Sequence, residues 1–484
     1  MASGTASLKV GLVSSSQLSF FGDKETVFAR MAKELEGLGS TLGYTLYVYP
    51  KQVITAEDAH GAAAALEGEG VDLVLLQNTS YSSGFLAPIF AKVRNAVLGL
   101  WAIPEFAQDG PVPFNSFCSL NMYSGIIGHY LNEDAIPVKW FYGDVGDPLF
   151  MDRFTVTVRT LRAIKQLRNS SVALIGGIAP GFDDLYDDER KIIRRLPGIR
   201  INRLHEWNEI RDRALAYTDP ELQPYVDKIT GRARAVQDIA KPWIVQAARF
   251  EKAYDDFLAS TRYDALAISC WPKFQDEFQF SVCSTIANLN EKGIVAACEG
   301  DLTSAISMLF LRHIAEDVTM LMDMSAFDEQ DNTVLLWHCG PAAERFGKKN
   351  GYELGANYSG MAHEKGKPPR GCGVTHDMVF DPGPVTIARF AGEWDRMFLA
   401  GGAIIDYPKK SFCGSRGWVG NLTLNRKSIG ARDFINTILV QHFSHHYPVV
   451  YGDYSKEIME AMAWLGLAPV QRVDYEDYLQ LPKG

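Results

Sequence analysis

The stretch Gly293-Ile-Val-Ala-Ala-Cys298-Glu-Gly-Asp-Leu-Thr-Ser-Ala305 decides how this chain is built. An apolar run of strand length ends at Cys298, turns through Glu-Gly-Asp and enters a small-residue helix expected to reach Met322. A strand that is continuously apolar rather than alternating is buried on both faces, as in parallel sheets covered by helices. The same pattern recurs upstream. Helix Ser281–Asn290, strand Asp264–Cys270 and helix Lys241–Ser260 precede it, and the series starts at Ser171-Val-Ala-Leu-Ile-Gly-Gly177, after a basic helix ending near Arg168. An equivalent series opens the chain. Strand Leu8–Val13 is followed by a helix through Val27, Phe28, Met31, Leu35 and Leu38, then strand Tyr44–Tyr49, helix Ala56–Leu66, and strands Val71–Leu76 and Ala96–Ile103.

Past residue 330 the period changes. Thr333–Trp337, Val385–Phe390 and Arg396–Ile405 are rich in β-branched or aromatic residues and separated by Gly and Pro turns. Helices around Ala431–His442 and Lys456–Leu465 close the chain. Three domains are expected: an α/β unit over 1–160, a second over 161–328, and a β-rich domain over 329–484.

A length of 484 residues suits two or three domains. With 47% hydrophobic and 22% charged residues, a largely disordered chain is excluded. A net charge of −10 argues against nucleic acid or an anionic membrane as partner. No run approaches the roughly 18 to 20 apolar residues that span a bilayer. The start, Met1-Ala-Ser-Gly-Thr-Ala-Ser, lacks the regions of a secretory signal, so a cytoplasmic protein is expected. Seven cysteines, at 118, 270, 283, 298, 339, 372 and 413, show no C-x-x-C spacing and read as reduced thiols.

Chemistry concentrates late in the chain. Glu299 and Asp301 stand at the carboxyl end of a parallel strand, where α/β sheets bind ligands. Asp301 also suits the N-cap of the following helix. Glu299 has no such structural excuse, because a carboxylate ending an apolar strand is costly without a partner. Asp323 follows 24 residues later, at the end of the expected helix, either a solvated acid or half of a carboxylate pair. Two converging carboxylates divide acid and base work or share a divalent metal. Of ten histidines, His442, His445 and His446 cluster, and His338 follows an apolar strand, as a core residue or a ligand. Imidazole with carboxylate favours Mn, Fe, Co, Ni or Zn. The glycine loop 176–181 is not a G-x-G-x-x-G, no Walker A or G-x-S-x-G is present, and Cys298 and Cys339 read as buried, inert thiols.

Cys298-Glu-Gly-Asp-Leu, Asp323 at its spacing, strand-borne His338 before Cys-Gly, and the His445-His446 pair together resemble the L-fucose isomerase / L-arabinose isomerase superfamily. The resemblance spans residues 293 to 446. It implies two Rossmann-like domains and a β-rich C-terminal domain, assembled as a trimer or hexamer. It implies an aldose–ketose isomerase that uses a divalent cation, Mn²⁺ or Co²⁺, and no organic cofactor. By position Glu299 and Asp323 would be the acid/base carboxylates and metal ligands, with His446 a further ligand. His338 matches a ligand of the arabinose branch, whereas Asp323 leans to the fucose branch. The reaction would run through a cis-enediol(ate).

For the sugar, the segment after Cys270 is either an ordinary loop anchored by Trp271 or a wall in which Trp271 offers an aromatic face and Gln275 a polar group, with Asp301, His445 and Arg370 as further contacts. Glu277 is a rival to Glu299 by spacing but lacks the strand-end setting. Six basic residues lie between Arg345 and Arg370, namely Arg345, Lys348, Lys349, Lys365, Lys367 and Arg370. They form a solvated face or an anion site for a sugar such as sulfoquinovose, and the family includes isomerases of sulfonated sugars. A non-catalytic sugar-binding or sensor protein is the alternative of another class.

Overall fold

A computed structural model describes residues 7–131, 136–357 and 372–477. The chain divides into two compact units, Met1–Lys165 and Gln166–Gly484. The first unit is a five-stranded parallel sheet: Tyr44–Val48, Leu8–Ser15, Leu73–Asn78, Val97–Ala102 and Val138–Tyr142, in that spatial order. Every residue of Leu73–Asn78 is buried, as its unbroken apolar run requires of a central parallel strand. Helix Ala56–Glu69 is bounded by a Thr55/Asp58 capping box and by left-handed Gly70.

The second unit joins two sheets. Its parallel sheet runs Val295–Ala297, Ala265–Ile268, Ser171–Ile175, Arg200–His205. Its second sheet contains a closed antiparallel barrel of six strands. The order around the barrel is Thr319–Asp328, Thr333–His338, Ser415–Leu424, Arg396–Ile404, Gly383–Phe390 and His446–Tyr451, which pairs back to the first. Helix Leu302–Ala315 packs against strands of both and is buried almost throughout, which suits its small and apolar composition.

One element differs from the sequence reading in a way that matters. The helix expected to reach Met322 stops at Ala315, where Glu316 turns left-handed at φ 54°. Thr319–Asp328 is then a barrel strand. The run Thr319-Met-Leu-Met322 is buried on both faces, a pattern that a buried strand and a buried helix share. Asp323 is therefore a mid-strand residue, and barrel pairing sets it directly opposite His446 on one side and Trp337 on the other. Strands Cys372–Val379, Ser415–Leu424 and His446–Tyr451 are further additions. Pro448 disguises the last, since proline disfavours central strands. It is tolerated because pairing with Gly383–Phe390 begins only at Val449.

Among the described residues, no helix is long and apolar enough to cross a membrane.

Candidate active site

All the site's groups lie in the second unit, where the parallel sheet's carboxyl ends meet the barrel. Glu299 is buried and sits at φ 61°, a left-handed conformation costing about 1–2 kcal/mol for a side-chain-bearing residue. Its neighbours hold it there. The Glu299 carbonyl accepts from Ala179 N–H at 2.9 Å, and Gly300 N–H donates to Ile268 O at 3.0 Å. Gly300, at φ +75°, admits the glycine loop: a Cβ there would lie 2.2 Å from Gly177 O. The loop thus packs the Glu-Gly-Asp turn rather than cradling a phosphate.

Asp301 is fully buried and caps its helix, accepting from Ser304 N–H at 2.7 Å. Arg389, equally buried, donates to its Oδ2 at 2.8 Å and also to Ser304 Oγ. His446 Nδ1–H donates to the same carboxylate at 3.0 Å. Burial pushes the Asp301 carboxyl up, but Arg389 and His446 prevail and hold it well below the usual carboxylate range. Asp301 is therefore not a sugar contact: its oxygens are consumed by protein groups, and its task is to orient His446. With Nδ1 donating, His446 turns an Nε2 lone pair inward, 3.5 Å from Glu299 Oε2 and 3.7 Å from Asp323 Oδ1.

His338 is protonated the other way round. Its Nδ1 accepts Cys339 N–H at 2.8 Å, so the ring proton belongs on Nε2. Burial lowers its pKa, against the pull of Asp323, and keeps the ring neutral. It stacks on His446 with centroids 5.6 Å apart. His338 is thus in the cluster, but it offers an N–H donor where the resemblance implied a ligand lone pair.

His445 bridges two carboxylates, donating through Nδ1 to Asp184 at 2.7 Å and through Nε2 to Glu299 at 3.2 Å. Partial burial works against its charge, but these bonds raise its pKa to about 9, so the ring is an imidazolium. The same bond helps lower the pKa of Glu299, against the effect of burial. Phe182 packs on His445 at 5.5 Å and meets Trp271 edge-on at 6.1 Å. Trp271 therefore belongs to the wall beside the site. Gln275, on the short helix Lys273–Phe278, has a buried Oε1 with no partner.

The remaining sequence candidates fall elsewhere. Arg345 is taken by Asp317 at 3.0 Å, and Glu277 is exposed beside Arg211. Lys365, Lys367 and Arg370 lie outside the described residues. Cys298 is buried as expected, but Cys339 is partly exposed.

Three residues of this cluster escaped sequence reasoning. Arg389 could have been suspected as a lone charge within the apolar strand Val385–Phe390, where it must find a buried partner. Asp184 and Asp187 lie in the acidic run that follows the glycine loop. Asp187 accepts from Thr303 N–H at 3.2 Å; burial, reinforced by Asp301, lifts its carboxyl to about 6.

Three buried polar atoms in this cluster have no partner: His446 Nε2, His338 Nε2 and Asp323 Oδ1. Glu299, His338 and His446 place ligand-type atoms within 4.8 Å of one another, as do Asp323, His445 and His446. Four carboxylates (Asp184, Glu299, Asp301 and Asp323) face the two cations His445 and Arg389, so the surroundings lack positive charge. Carboxylates plus one imidazole lone pair suit a divalent cation such as Mn²⁺. Glu299, Asp323 and His446 are the groups that fit it.

No family model matches the chain. It is similar over most of its length to proteins named sulfoquinovose isomerase. That of Priestia aryabhattai is 25% identical over 427 residues, covering 87% of this chain and 90% of that one. That of Alkalicoccus urumqiensis is 25% identical over 415 residues, covering 85% and 88%. That of Clostridium sp. (strain MSTE9) is 24% identical over 412 residues, covering 84% and 86%. Among solved structures, a solute-binding protein of an ABC transporter from Agrobacterium vitis, bound with alpha-D-tagatopyranose, is 11% identical. It covers 64% of this chain and 90% of its own at a TM-score of 0.18, too low to argue from.

Proposed function

We propose that this chain interconverts a sulfonated aldose of the sulfoquinovose type and its 2-ketose, with a divalent cation, through a cis-enediol(ate). That it is an enzyme of the aldose–ketose isomerase type follows from its similarity to the sulfoquinovose isomerases over most of their length. The sulfonated substrate is taken from the relatives' names, and the cation and the enediol route are supported by one observation. His446 Nε2, His338 Nε2 and Asp323 Oδ1 converge beside Glu299 as buried atoms without partners.

Glu299, Asp323 and His446 would hold the cation, which polarises adjacent oxygens of a bound sugar and stabilises charge developing on them. The chain's own residues do the rest. Glu299 and Asp323 exchange protons with C2 and C1, a step worth about 10² to 10⁴ in rate for each well-placed group. The imidazolium of His445, fixed by Asp184, keeps Glu299 ionised and ready to take a proton. His338 Nε2–H donates to a sugar oxygen as negative charge grows there. Asp301, paired with Arg389, holds His446 in the tautomer that leaves Nε2 free.

The test is turnover of sulfonated and neutral aldoses with Mn²⁺ in D₂O, followed by proton NMR. Conversion of the sulfonated sugar, with solvent deuterium entering the carbon that receives the proton, is expected. Conversion of neutral aldoses alone would overturn the substrate class. Product free of deuterium at C1 and C2 after many turnovers would overturn the enediol route.

A further inference from the structure

Cys283 and Cys339 are 56 residues apart in sequence, yet their sulfurs lie 3.2 Å from one another. Cys283 is the first residue of helix Cys283–Glu291, which is buried from Cys283 through Asn290. Its sulfur also meets Ser281 Oγ at 2.9 Å. Cys339 follows directly on the barrel strand Thr333–His338 and is the partly exposed member of the pair. We propose that these two thiols form a reversible disulfide that switches the isomerase off by displacing His338.

The chemistry balances with a hydroperoxide as the oxidant. The Cys339 sulfur attacks the terminal peroxide oxygen, the O–O bond breaks, and a sulfenic acid and water are formed with hydrogen peroxide. The Cys283 sulfur then attacks the sulfenic sulfur; the S–S bond forms, the S–O bond breaks, and a second water leaves. Two thiols lose two electrons, the peroxide gains them, and both thiol protons leave in water. A dithiol reductant reverses the change by thiol–disulfide exchange.

Geometry says what must move. A disulfide requires about 2.05 Å between sulfurs. The fully packed helix on the Cys283 side yields little. The shift therefore falls on Cys339, whose N–H holds His338 Nδ1 at 2.8 Å and whose sulfur lies 3.2 Å from the same nitrogen. Gly340 follows at φ +125°, where a Cβ would lie 2.4 Å from Thr375, so the segment has little slack beyond Cys339. Pulling Cys339 toward the helix thus turns the His338 ring and withdraws its Nε2–H from the cluster. The disulfide rests on the thiol pair itself, whereas its effect on turnover rests on the isomerase reading.

The test treats the full-length, metal-loaded enzyme with a small excess of hydrogen peroxide, followed by non-reducing digestion and mass spectrometry. A Cys283–Cys339 cross-linked peptide, two hydrogens lighter than the dithiol, is expected, together with at least a tenfold loss of turnover reversed by dithiothreitol. Cys283→Ser should keep its basal turnover, form no cross-link, and resist the reversible loss. A cross-link at another pair, such as Cys270–Cys298, or none at all, would overturn the proposal. So would an unchanged reversible inactivation in Cys283→Ser. The peptide mass requires no substrate, so it reports on the thiols even where the isomerase reading itself fails.

Discussion

Both units end parallel strands in polar residues, and they use them in opposite ways. In the first unit the adjacent strands Leu8–Ser15 and Leu73–Asn78 finish in Ser14, Ser15, Gln77 and Asn78, all buried. These groups satisfy each other and the segments that follow. Ser14 bonds Thr79 at 2.7 Å, Asn78 donates to Ser15 at 3.1 Å and Ser119 at 3.0 Å, and Ser82 bonds Tyr123 at 2.8 Å. Within that network, only Asn78 Oδ1 is buried without a partner. In the second unit the strand end carries Glu299 and Asp301 instead, and buried atoms that face them from the barrel have no partner. A strand end becomes a reactive site when charges occupy it and its polar atoms are not used up by one another. Neutral hydroxyls and amides that close on themselves make a polar plug.

Breaking the second unit's arrangement should have the largest effects. Glu299→Gln keeps shape but cannot take a proton, so turnover should fall by about 10³, within the range for a general base. Its far-ultraviolet circular dichroism should match the parent's. Exhaustive chelation should remove turnover to a similar extent, and Mn²⁺ or Co²⁺ should restore it. Full activity in a chelated sample shown metal-free by elemental analysis would end the metal assignment.

Arg389→Met tests the buried pair. It leaves Asp301 as an uncompensated buried carboxylate, and unfolding in urea should show a loss of about 3–5 kcal/mol. Asp301→Asn retains a capping side chain but loses the charge facing Arg389, and it should lower both stability and turnover.

In the first unit, Ser82→Ala strips partners from Ser15, Asn78, Ser119 and Tyr123. A loss of about 0.5–1.5 kcal/mol is expected from the hydrogen bonds removed, since each of these groups keeps another partner. Turnover per folded molecule should not change. A large fall in turnover at unchanged stability would erase the distinction drawn between the two strand ends.

The smallest effect is on pH-dependent stability, read by thermal melts of the chelated protein. His445 has a pKa raised from 6.5 to about 9, so its contribution is complete below 6.5 and is lost as pH rises through about 9. Glu299 has its pKa lowered from 4.5, so its contribution is present above 4.5 and is lost on acidification below that. Stability from this pair should peak between those limits, and His445→Gln should flatten the alkaline limb. The effect is modest because His445 is 35% exposed at its side chain and partly screened.

The amino-acid sequence by itself determined the local grammar. Unbroken apolar runs located the parallel strands Leu8–Ser15, Leu73–Asn78 and Ala265–Ile268 to within a few residues. Asp301 was legible as a cap because Asp before Leu-Thr-Ser accepts a helix N–H, and Glu299 as a candidate because nothing local justified it. The histidine pair was visible as composition. Only the tertiary structure decided which groups meet. Asp184 reaches His445 across 261 positions and Arg389 reaches Asp301 across 88, distances over which no periodicity carries information. Asp323 shows the limit most plainly. Its buried flank reads equally as helix or strand, and closure of a six-stranded barrel, a long-range pairing, places it opposite His446. Tautomers are decided the same way: His446 and His338 are the same residue type, and only their Nδ1 partners, Asp301 and the Cys339 amide, make one a lone pair and the other a donor.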